Sequence, residues 1–291
     1  MFLILHNPLA KNNKAKKNTK KILNYLRKNK VPFIIKSSLK VSNLNNYLEM
    51  RPMISKLLII GGDGSINYLV NHVDFSKITQ EVYLIKSGSG NDFLRTLKPI
   101  RKANVNIFQA NTNNGKFKFA NGCGLGLDAL VCQKTNTSKI KNKFSYLLNA
   151  IKSIIEYKPC RLTLNIDNQI YNFKKCYFIS AQNGKYFGGG MKITPKADLA
   201  DNKIDVIVVH DVPKFFVLLV FASIYFGAHT ALKKFVFYKK ATRLNAKMEN
   251  KMYLQTDGDV HEGIDTIAIS HNQNIIFNAF TKDQIKKIQE K

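Results

Sequence analysis

The chain has 291 residues, of which 45% are hydrophobic, so it carries enough apolar material for two modest domains, and global disorder is excluded. Lys and Arg number 46 against 19 Asp and Glu, which gives a formal net charge of +27. This charge indicates an anionic partner, namely nucleic acid, phospholipid headgroups or a polyphosphate ligand. A Lys- and Asn-rich composition that merely reflects AT-rich coding DNA is the alternative explanation.

The cysteines and the apolar runs predict the cellular compartment of the protein and whether it spans a membrane. Four cysteines are scattered without a Cys-x-x-Cys pair, which favours reduced thiols in the cytoplasm over a disulfide framework or a thiolate metal site. The longest apolar run, FFVLLVFASIYFGA, spans residues 215–228. A bilayer-spanning helix needs about 20 residues, so this run predicts a helix that is buried in the core, the more common case, or interfacial. The sequence therefore predicts a soluble protein.

The first part of the chain alternates strand and helix patterns. The apolar runs that predict strands are FLILHN, VPFIIKS, KLLIIGG and EVYLIKSGSG. Between them lie a basic amphipathic stretch with Ile22, Leu23 and Leu26 on one side, a helix near 66–73, and a helix that begins at Asn91. Strands that alternate with helices predict a parallel sheet covered on both faces.

The pattern changes beyond about residue 118. The strand-like segments, several of them with alternating apolar residues, are RLTLNIDNQIYNF, KCYFISAQN, KIDVIVVH, MYLQTD, DTIAIS and NIIFNAF. They predict an antiparallel sandwich or barrel that is interrupted by helices at 140–156 and 213–232. The turn cluster NTNNG at 111–115 marks the expected boundary between the two parts.

Two glycine loops follow predicted strands in the first part. GGDGS at 61–65 and SGSGND at 87–92 each end a strand and begin a helix. Glycine can take positive φ and lets backbone N–H groups approach a ligand, and a helix N-terminus favours phosphate. Asp63 would be repelled by a bare phosphate, so it indicates a divalent cation or a proton transfer. Ser65 is placed to cap the helix or to bond a phosphate oxygen. A tight strand–helix turn with an N-cap aspartate is the alternative, and it explains one glycine but hardly three.

The two loops can flank the crevice in which open α/β sheets bind nucleotides, because both lie at carboxyl ends of strands in one sheet. Neither is a P-loop, since no Gly-Lys-Ser/Thr follows, and neither matches the dinucleotide fingerprint. A third glycine-rich segment, NGCGLGLD at 121–128, fits no dinucleotide motif and predicts a packing turn.

These motifs resemble, in their order along the chain, those of the diacylglycerol-kinase catalytic family. GGDGSINYLVNHV and SGSGNDFLR are similar to its paired signatures GGDGTxNEVxNG and GTxNDFxR. NPLAK (7–11), NGCGLGLDALV, the segment 183–209 and LQTDGD (254–259) resemble further segments of the family. GGDG alone is shared with NAD kinases and phosphofructokinases. Taken together, these matching segments cover nearly the whole chain, and their order is most similar to that of the soluble bacterial lipid kinases.

The resemblance implies a two-domain enzyme. Its expected parts are a Rossmann-like α/β ATP-binding domain at 1–118, an antiparallel β-sandwich lipid-substrate domain at 119–279, and a C-terminal helix at 280–291, for which packing against the first domain is one option. Such an enzyme binds ATP and Mg2+ between its domains and transfers the γ-phosphate to a lipid hydroxyl, with diacylglycerol as the first candidate acceptor. The implied nucleotide contacts are Asn7, Pro8, Leu9, Ala10, Lys11, Ser37, Gly61, Gly62, Asp63, Gly64, Ser65, Ile66, Asn67 and Ser89.

The family's catalytic base lies in an Asp-Gly-Glu motif, and Asp259 stands in the place of that glutamate. Aspartate keeps the carboxylate but has a shorter reach, so Asp257 is a second candidate base. Asp63 is expected to organise magnesium directly or through water. The alternative for TDGD is a hairpin turn, because Asp-Gly is a strong turn signal, and a turn and a base are compatible.

The resemblance also implies a structural magnesium in ADLADNKIDV. Asp201 matches the ligating carboxylate, with backbone carbonyls from Asp198 and Lys203, and oxygen ligands suit a hard cation. An Asp-Asn turn before a strand is the alternative.

Three departures from the family pattern leave room for an altered substrate or weak activity: Tyr68 replaces a glutamate, Ala10 and Lys11 replace Ser-Gly, and Asp259 replaces a glutamate. A soluble-substrate kinase of the NAD-kinase type and a non-catalytic anion binder are the rival hypotheses. Direct binding of nucleic acid is the weaker form of the second, because no recognisable module and no ordered aromatic platform is present.

The excess charge fits a peripheral membrane association. Basic stretches around 11–30, 134–143 and 233–251 could bring the protein to anionic lipid, and the 215–228 run could then lie in the interface or line an acyl-chain site. The sequence leaves the acceptor lipid and the oligomeric state open, a homodimer included.

Overall fold

The computed structural model describes residues 1–6, 13–87, 90–138 and 143–280. The chain divides into two compact units, Met1–Val105 with Asn274–Lys291, and Asn106–Gln273. The domain boundaries expected from the sequence, after residues 118 and 279, stay predictions. Residues 281–291 of the predicted C-terminal helix lie outside the described residues.

The first unit is built on a parallel sheet. Its elements are β1 (Phe2–His6), α1 (Asn13–Lys28), β2 (Phe33–Ser37), α2 (Leu44–Glu49), β3 (Lys56–Gly61), α3 (Asp63–His72), β4 (Glu81–Lys86) and α4 (Asp92–Ile100). The four strands are parallel and lie in the order β2-β1-β3-β4. Residues 277–279, at the end of the last described strand, pair in parallel with β4. The predicted parallel sheet is confirmed.

Both faces of this sheet are covered. One face packs against α1 through Leu26. Strand residues on that face alternate with buried residues on the opposite face, as Ile4 does with Leu3 in β1 and Leu58 with Leu57 in β3. The near-continuous apolar character of these strands follows from burial on both sides.

The second unit is mostly antiparallel sheet. Its elements are β5 (Lys102–Thr112), which begins in the first unit, β6 (Gly115–Phe119), β7 (Gly122–Gly126), α5 (Leu127–Thr137), α6 (Lys143–Glu156), β8 (Cys160–Ile166), β9 (Gln169–Gln182), β10 (Ile204–His210), α7 (Val217–Ile224), β11 (Val236–Ala241), β12 (Arg243–Thr256) and β13 (Asp259–Ala279), whose residues 274–279 belong to the first unit. Neighbouring strands lie in the order β11-β10-β9-β7-β12-β13, β8 pairs with β9 and β12, and β5 pairs with β6 and β13.

This antiparallel sheet has an apolar core on each face. Alternate residues of β10 divide between the two cores: Val206 and Val208 lie in one, and Ile207 and Val209 lie in the other. The first core is filled by strand residues alone, and the second receives the buried faces of α5, α6 and α7. The chain is therefore a mixed α/β protein with a β-rich second part, as predicted.

Three predicted elements differ from the observed ones, and the packing turn predicted at NGCGLGLD is the strand β7. RLTLNIDNQIYNF is a hairpin of β8 and β9, because Asp167 and Asn168 both take positive φ, 47° and 70°, and form a two-residue turn. The helix predicted at 213–232 is broken into a 3-10 turn at Lys214–Phe216, the helix α7, and a second 3-10 turn at Ala228–Ala231. Gly227, with φ of 73°, separates the last two.

Helix α7 has eight residues, and among the described helices none is long and apolar enough to cross a bilayer. Val220 and Ile224 are buried on the core side of α7, whereas Leu218 and Leu219 are 42% and 62% exposed. The burial predicted for the 215–228 run therefore holds for one face of this helix only.

We expect the two faces of α7 to respond differently to truncation. Ile224→Ala removes a fully buried side chain and should lower the free energy of unfolding by about 2–5 kcal/mol. Leu219→Ala, on the exposed face, should change it by less than about 0.5 kcal/mol. Urea denaturation followed by circular dichroism measures both values, and equal losses would contradict this orientation of the helix.

Candidate functional site

The predicted glycine loops meet at one edge of the parallel sheet. Strand β3 ends at Gly61 and β4 at Lys86, and the Ser87 N–H donates to the Gly61 carbonyl at 2.9 Å. The Asp63 N–H donates to the Gly90 carbonyl at 3.3 Å. The two loops are therefore hydrogen-bonded to each other and are not independent turns.

Close packing, and not positive φ, explains the glycines of the first loop. A Cβ at Gly61 would lie 2.2 Å from Ser65 Oγ, and one at Gly62 would lie 2.3 Å from the Gly90 carbonyl oxygen. A Cβ at Gly64 would meet nothing within 4 Å, so the backbone is accessible there. Gly61, Gly62 and Gly64 are not among the glycines with positive φ, which corrects the expectation from the sequence. Helix α3 has Gly62 as its N-cap without a side-chain hydrogen bond, so Ser65 does not cap it.

The carboxylate of Asp63 joins the two loops. Its Oδ2 accepts the Asp92 N–H at 2.9 Å, and its Oδ1 accepts the Phe93 N–H at 3.2 Å. Both amides belong to the first turn of α4, where a negative charge is stabilised by the helix dipole. A half-buried carboxylate at the start of α3 therefore fixes the start of α4.

Other predicted nucleotide contacts lie at the same sheet edge. Ser37 ends β2 and is in register with His6 at the end of β1, which is in turn in register with Ile60 of β3. The strand order reverses between β1 and β3. Ile66 and Asn67 of α3 are buried, so the Ile66 side chain belongs to the core. The predicted contacts that lie outside the described residues are Asn7, Pro8, Leu9, Ala10, Lys11 and Ser89.

The Asp-Gly-Asp motif forms the turn between β12 and β13. Thr256 pairs with Asp259 across a two-residue turn made of Asp257, with φ of 50°, and Gly258, with φ of 95°. Two positive φ angles are the mark of the type I′ hairpin turn, which Asp-Gly favours. The predicted hairpin turn is confirmed, and the exposed Asp259 begins β13.

Three backbone amides hold the carboxylate of Asp257. Its Oδ1 accepts the N–H groups of Asn121 and Gly122 at 2.9 and 2.8 Å, and its Oδ2 accepts the Ala120 N–H at 2.8 Å. Removal from water raises the pKa of Asp257 to about 6; the three amides lower it, and the charge of Asp259 raises it. Asp257 therefore anchors the turn, whereas Asp259 is the exposed carboxylate of the motif.

A buried carboxyl, that of Asp128, connects to this turn. Asp128, in the first turn of α5, has its Oδ2 3.5 Å from Gln255 Nε2, and Gln255 Oε1 accepts the Gly258 N–H at 3.1 Å. Within the described part of the chain, Asp128 Oδ1 has no hydrogen-bond partner. Burial raises the pKa of Asp128 to about 7, although hydrogen bonds from its own amide, the Ala129 amide and Gln255 lower it. The ionised form of this carboxyl is therefore disfavoured by folding.

The predicted structural magnesium site contains a lysine. Asp201 Oδ1 accepts the Lys203 N–H at 3.0 Å, and its Oδ2 lies 2.5 Å from Lys240 Nζ, which is also 3.4 Å from Asp205 Oδ2. Burial lowers the pKa of Lys240, but the two carboxylates outweigh burial and raise it. Asp198 is exposed, and the described residues hold no group of three His, Cys, Asp or Glu that could bind a metal. Lys240 therefore neutralises Asp201 in this structure, and the magnesium ion expected at Asp201 with the carbonyls of Asp198 and Lys203 stays a prediction.

Sequence reasoning gave no site role to Asp128 or Lys240. Asp128 lies in a segment that carries the family resemblance, but no spacing in the sequence connects it with Gln255. Lys240 lies in β11, which no pattern predicted, and it faces Asp205 only through the register of β10 and β11.

Comparison with known proteins gives the family. Residues 1–116 match the model of the diacylglycerol kinase catalytic domain, and residues 122–270 match that of the YegS C-terminal NAD kinase beta sandwich-like domain. A Bacillus subtilis protein named "Putative lipid kinase YtlR" is 25% identical over 236 residues, which cover 71% of this chain and 74% of that protein. The chain belongs to the diacylglycerol-kinase catalytic family, in the branch that carries the YegS-type C-terminal domain.

Solved structures share the fold. A protein described as a "putative diacylglycerol kinase from Bacillus anthracis str. Sterne" superposes with a TM-score of 0.74 at 20% identity, covering 96% of both chains. Yeast NADH kinase complexed with NADH superposes with a TM-score of 0.51 at 11% identity, covering 100% of this chain and 86% of that one. At these identities the likeness shows the fold alone.

We expect Asp128→Asn to stabilise the protein more at high pH than at low pH. Burial raises the pKa of Asp128 from 3.8 to about 7. The protonated carboxyl therefore contributes its whole stabilisation of the folded state below pH 3.8, and this contribution is lost as the pH rises through 7. Asparagine carries no charge, so its advantage should grow by about 1–3 kcal/mol from about pH 5 to about pH 8. Urea denaturation at both pH values measures it. The exposed Glu262→Gln is the control, and a gain that is independent of pH would contradict a titrating buried carboxyl.

We expect chelation of divalent cations to leave the Tm unchanged, because Lys240 already neutralises Asp201. Lys240→Met leaves Asp201 and Asp205 without their ammonium and should cost about 1–3 kcal/mol, between the values of exposed and buried pairs. Part of that loss should return when magnesium is added. The exposed Lys247→Met is the control. A lower Tm of the unaltered chain in EDTA would show that a metal is bound after all.

Proposed function

We propose that this chain is an ATP-dependent lipid kinase that transfers the γ-phosphate of ATP to a lipid hydroxyl, with diacylglycerol as the first acceptor and phosphatidic acid as the product. The observation that carries the proposal is the pair of glycine loops held together by the carboxylate of Asp63 at the carboxyl ends of β3 and β4. The family of the chain supports the same reaction class.

The nucleotide is assigned to this edge of the first unit. Open α/β sheets bind ligands outside the carboxyl ends of their strands, where the strand order reverses, and here that point lies between β1 and β3. We therefore propose that the first unit is a Rossmann-like nucleotide-binding domain. The open backbone at Gly64 and the N-terminus of α3 suit a phosphate, and Ser37 ends the adjoining strand.

Asp63 is the residue proposed to hold magnesium, directly or through water, because its carboxylate oxygens are the ligands that this hard cation prefers. A magnesium ion held there would neutralise negative charge on the phosphate oxygens of ATP. The amides of Asp92 and Phe93 orient the Asp63 carboxylate, so its position does not depend on the ligand.

Asp259 is the proposed general base, and Asp257 positions it. A base must come within hydrogen-bond distance of the hydroxyl proton, which an exposed carboxylate on a fixed turn can do. Asp257 is already engaged by three amides, so it keeps the turn in shape. As the lipid oxygen attacks the γ-phosphorus and the bond to ADP breaks, the hydroxyl proton passes to Asp259. Most of the remaining catalysis is positioning.

The test of the proposal is transfer of labelled γ-phosphate from ATP to a total lipid extract in mixed micelles with magnesium, resolved by lipid chromatography. We expect label in phosphatidic acid. Label in another lipid would keep the reaction class and change the acceptor. Phosphorylation of NAD would favour a kinase of the NAD-kinase type, whose fold this chain shares. ATP binding without any labelled product would leave a non-catalytic nucleotide binder.

Asp259→Asn separates the base from the scaffold. It should lower kcat by about 10²–10⁴-fold, the usual contribution of general base catalysis, with little change in Tm because the side chain is exposed. Asp257→Asn should lower the Tm as well, because an amide group cannot accept all three backbone hydrogen bonds. Glu262→Gln, also exposed on β13, is the matched control. Full activity of Asp259→Asn would reject this base.

A further inference from the structure

An exposed apolar surface surrounds helix α7. It consists of Phe215, Phe216, Leu218, Leu219, Tyr225 and Phe226, here called the α7 surface. Phe226 is 84% exposed, Phe215 74% and Leu219 62%, and the others lie between 42% and 49%. Single exposed apolar residues are ordinary, but six within a stretch of twelve residues form a patch that marks an interaction site.

The α7 surface cannot turn into the core without exposing another apolar face. Val217, Val220, Phe221 and Ile224, at helical spacing, are buried in the core that α7 shares with the sheet. The ring of Phe221 packs edge-on against Phe178 of β9 with centroids 5.8 Å apart. Helix α7 is therefore apolar on both sides: one face is buried in the protein core, and the other is exposed and would be stabilised by contact with an apolar partner.

The segment is fixed at its C-terminal end, so the α7 surface is preformed. The Lys192 N–H donates to the Ile224 carbonyl at 3.0 Å, and the Gly227 N–H donates to the same carbonyl at 3.0 Å. The buried His229 ring contacts the Ile193 carbonyl through Nε2 at 2.8 Å. These contacts hold Tyr225 and Phe226 outward on the protein surface.

Basic residues flank this surface on both sides along the chain. Residues 212–248 contain seven Lys and Arg and no Asp or Glu. Lys214 precedes the first phenylalanine, and Lys233 and Lys234 follow the segment; all three are exposed. The nearest acidic residue along the chain is Asp211, whose carboxylate lies 2.9 Å from His210 Nδ1.

Charge decides between the possible occupants. A second copy of this chain would bring the same patch to a two-fold interface, and the segment has no acidic residue to pair with the lysines of the partner copy. An anionic phospholipid surface offers an apolar layer below and negative headgroups above, which match the aromatic and leucine side chains and the flanking lysines.

We propose that the α7 surface is the membrane-docking face of the protein, lying in the interface of an anionic phospholipid layer with Lys214, Lys233 and Lys234 at the headgroups. The choice of a membrane rests on the proposed function, because a kinase acting on a lipid must reach a bilayer. Helix α7 is too short to span a bilayer and docks parallel to it.

The test is sedimentation of the full chain with phosphatidylcholine vesicles, with and without phosphatidylglycerol, over a salt series. Leu219→Ser/Phe226→Ser should weaken binding to the anionic vesicles by roughly tenfold or more. Lys233→Gln/Lys234→Gln should weaken it by roughly fivefold per lysine at low salt and reduce its salt dependence. Ile170→Ser, which removes a 66% exposed apolar side chain from β9, is the matched control and should bind like the unaltered chain.

Three readouts keep the outcomes distinct. Near-ultraviolet circular dichroism shows that the variants are folded. Equal vesicle binding by Leu219→Ser/Phe226→Ser and the unaltered chain would overturn the proposal. The proposal would also fail if light scattering showed a dimer of the unaltered chain and monomers of this variant alone, because the surface would then bind a second copy. Phosphorylation of a dispersed short-chain diacylglycerol should be unchanged in this variant, so loss of docking is separable from failure of the kinase assignment.

Discussion

Two amide hydrogen bonds to the carboxylate of Asp63 hold the candidate nucleotide edge in one shape. Among the described residues, backbone contacts such as that of Ser87 with Gly61 also link the glycine loops that end β3 and β4. The close approach of Gly62 to the Gly90 carbonyl depends on the same arrangement, since it leaves no space for a β-carbon. An aspartate in a glycine-rich loop thus has a structural purpose besides any contact with a metal. The loops are formed by the protein's own hydrogen bonds, which lowers the entropy that a ligand would have to pay.

The second unit uses the same kind of interaction for a different purpose. Asp257 adopts a left-handed backbone conformation in the turn, and its carboxylate takes three amides from the residues that lead into β7. The strain of positive φ at a residue other than glycine is offset by those bonds. In both units one carboxylate fixes a turn, and a neighbouring group stays accessible: the backbone of Gly64 in the first, and the side chain of Asp259 in the second.

The sequence predicts best those features that depend on local pattern. Runs such as KLLIIGG predict buried parallel strands because both faces of the sheet are covered, and Asp257-Gly258 predicts its hairpin because few other pairs take two positive φ angles easily. The segment NGCGLGLD shows the limit. Its sequence predicts a packing turn, but residues 122–126 form the fully buried strand β7. Glycine is required at 122 and 124 because the side chains of Gln182 and Asp128 leave no space for a β-carbon there. The pairing of Lys240 with Asp201 likewise arises from tertiary register, which single-sequence patterns do not contain.

The pairing of β13 with β4 has a consequence for biosynthesis. Residues Phe277–Ala279 of β13 add the outer strand beside β4, and Phe277 packs its ring against Phe75 and Phe93 at centroid distances of 6.0 and 5.7 Å. The first hundred residues leave the ribosome long before these partners exist, so until then β4 presents an unpaired edge and an uncovered apolar face. The parallel sheet of the first unit is therefore completed only after residues 277–279 have been synthesised, later than every strand of the second unit.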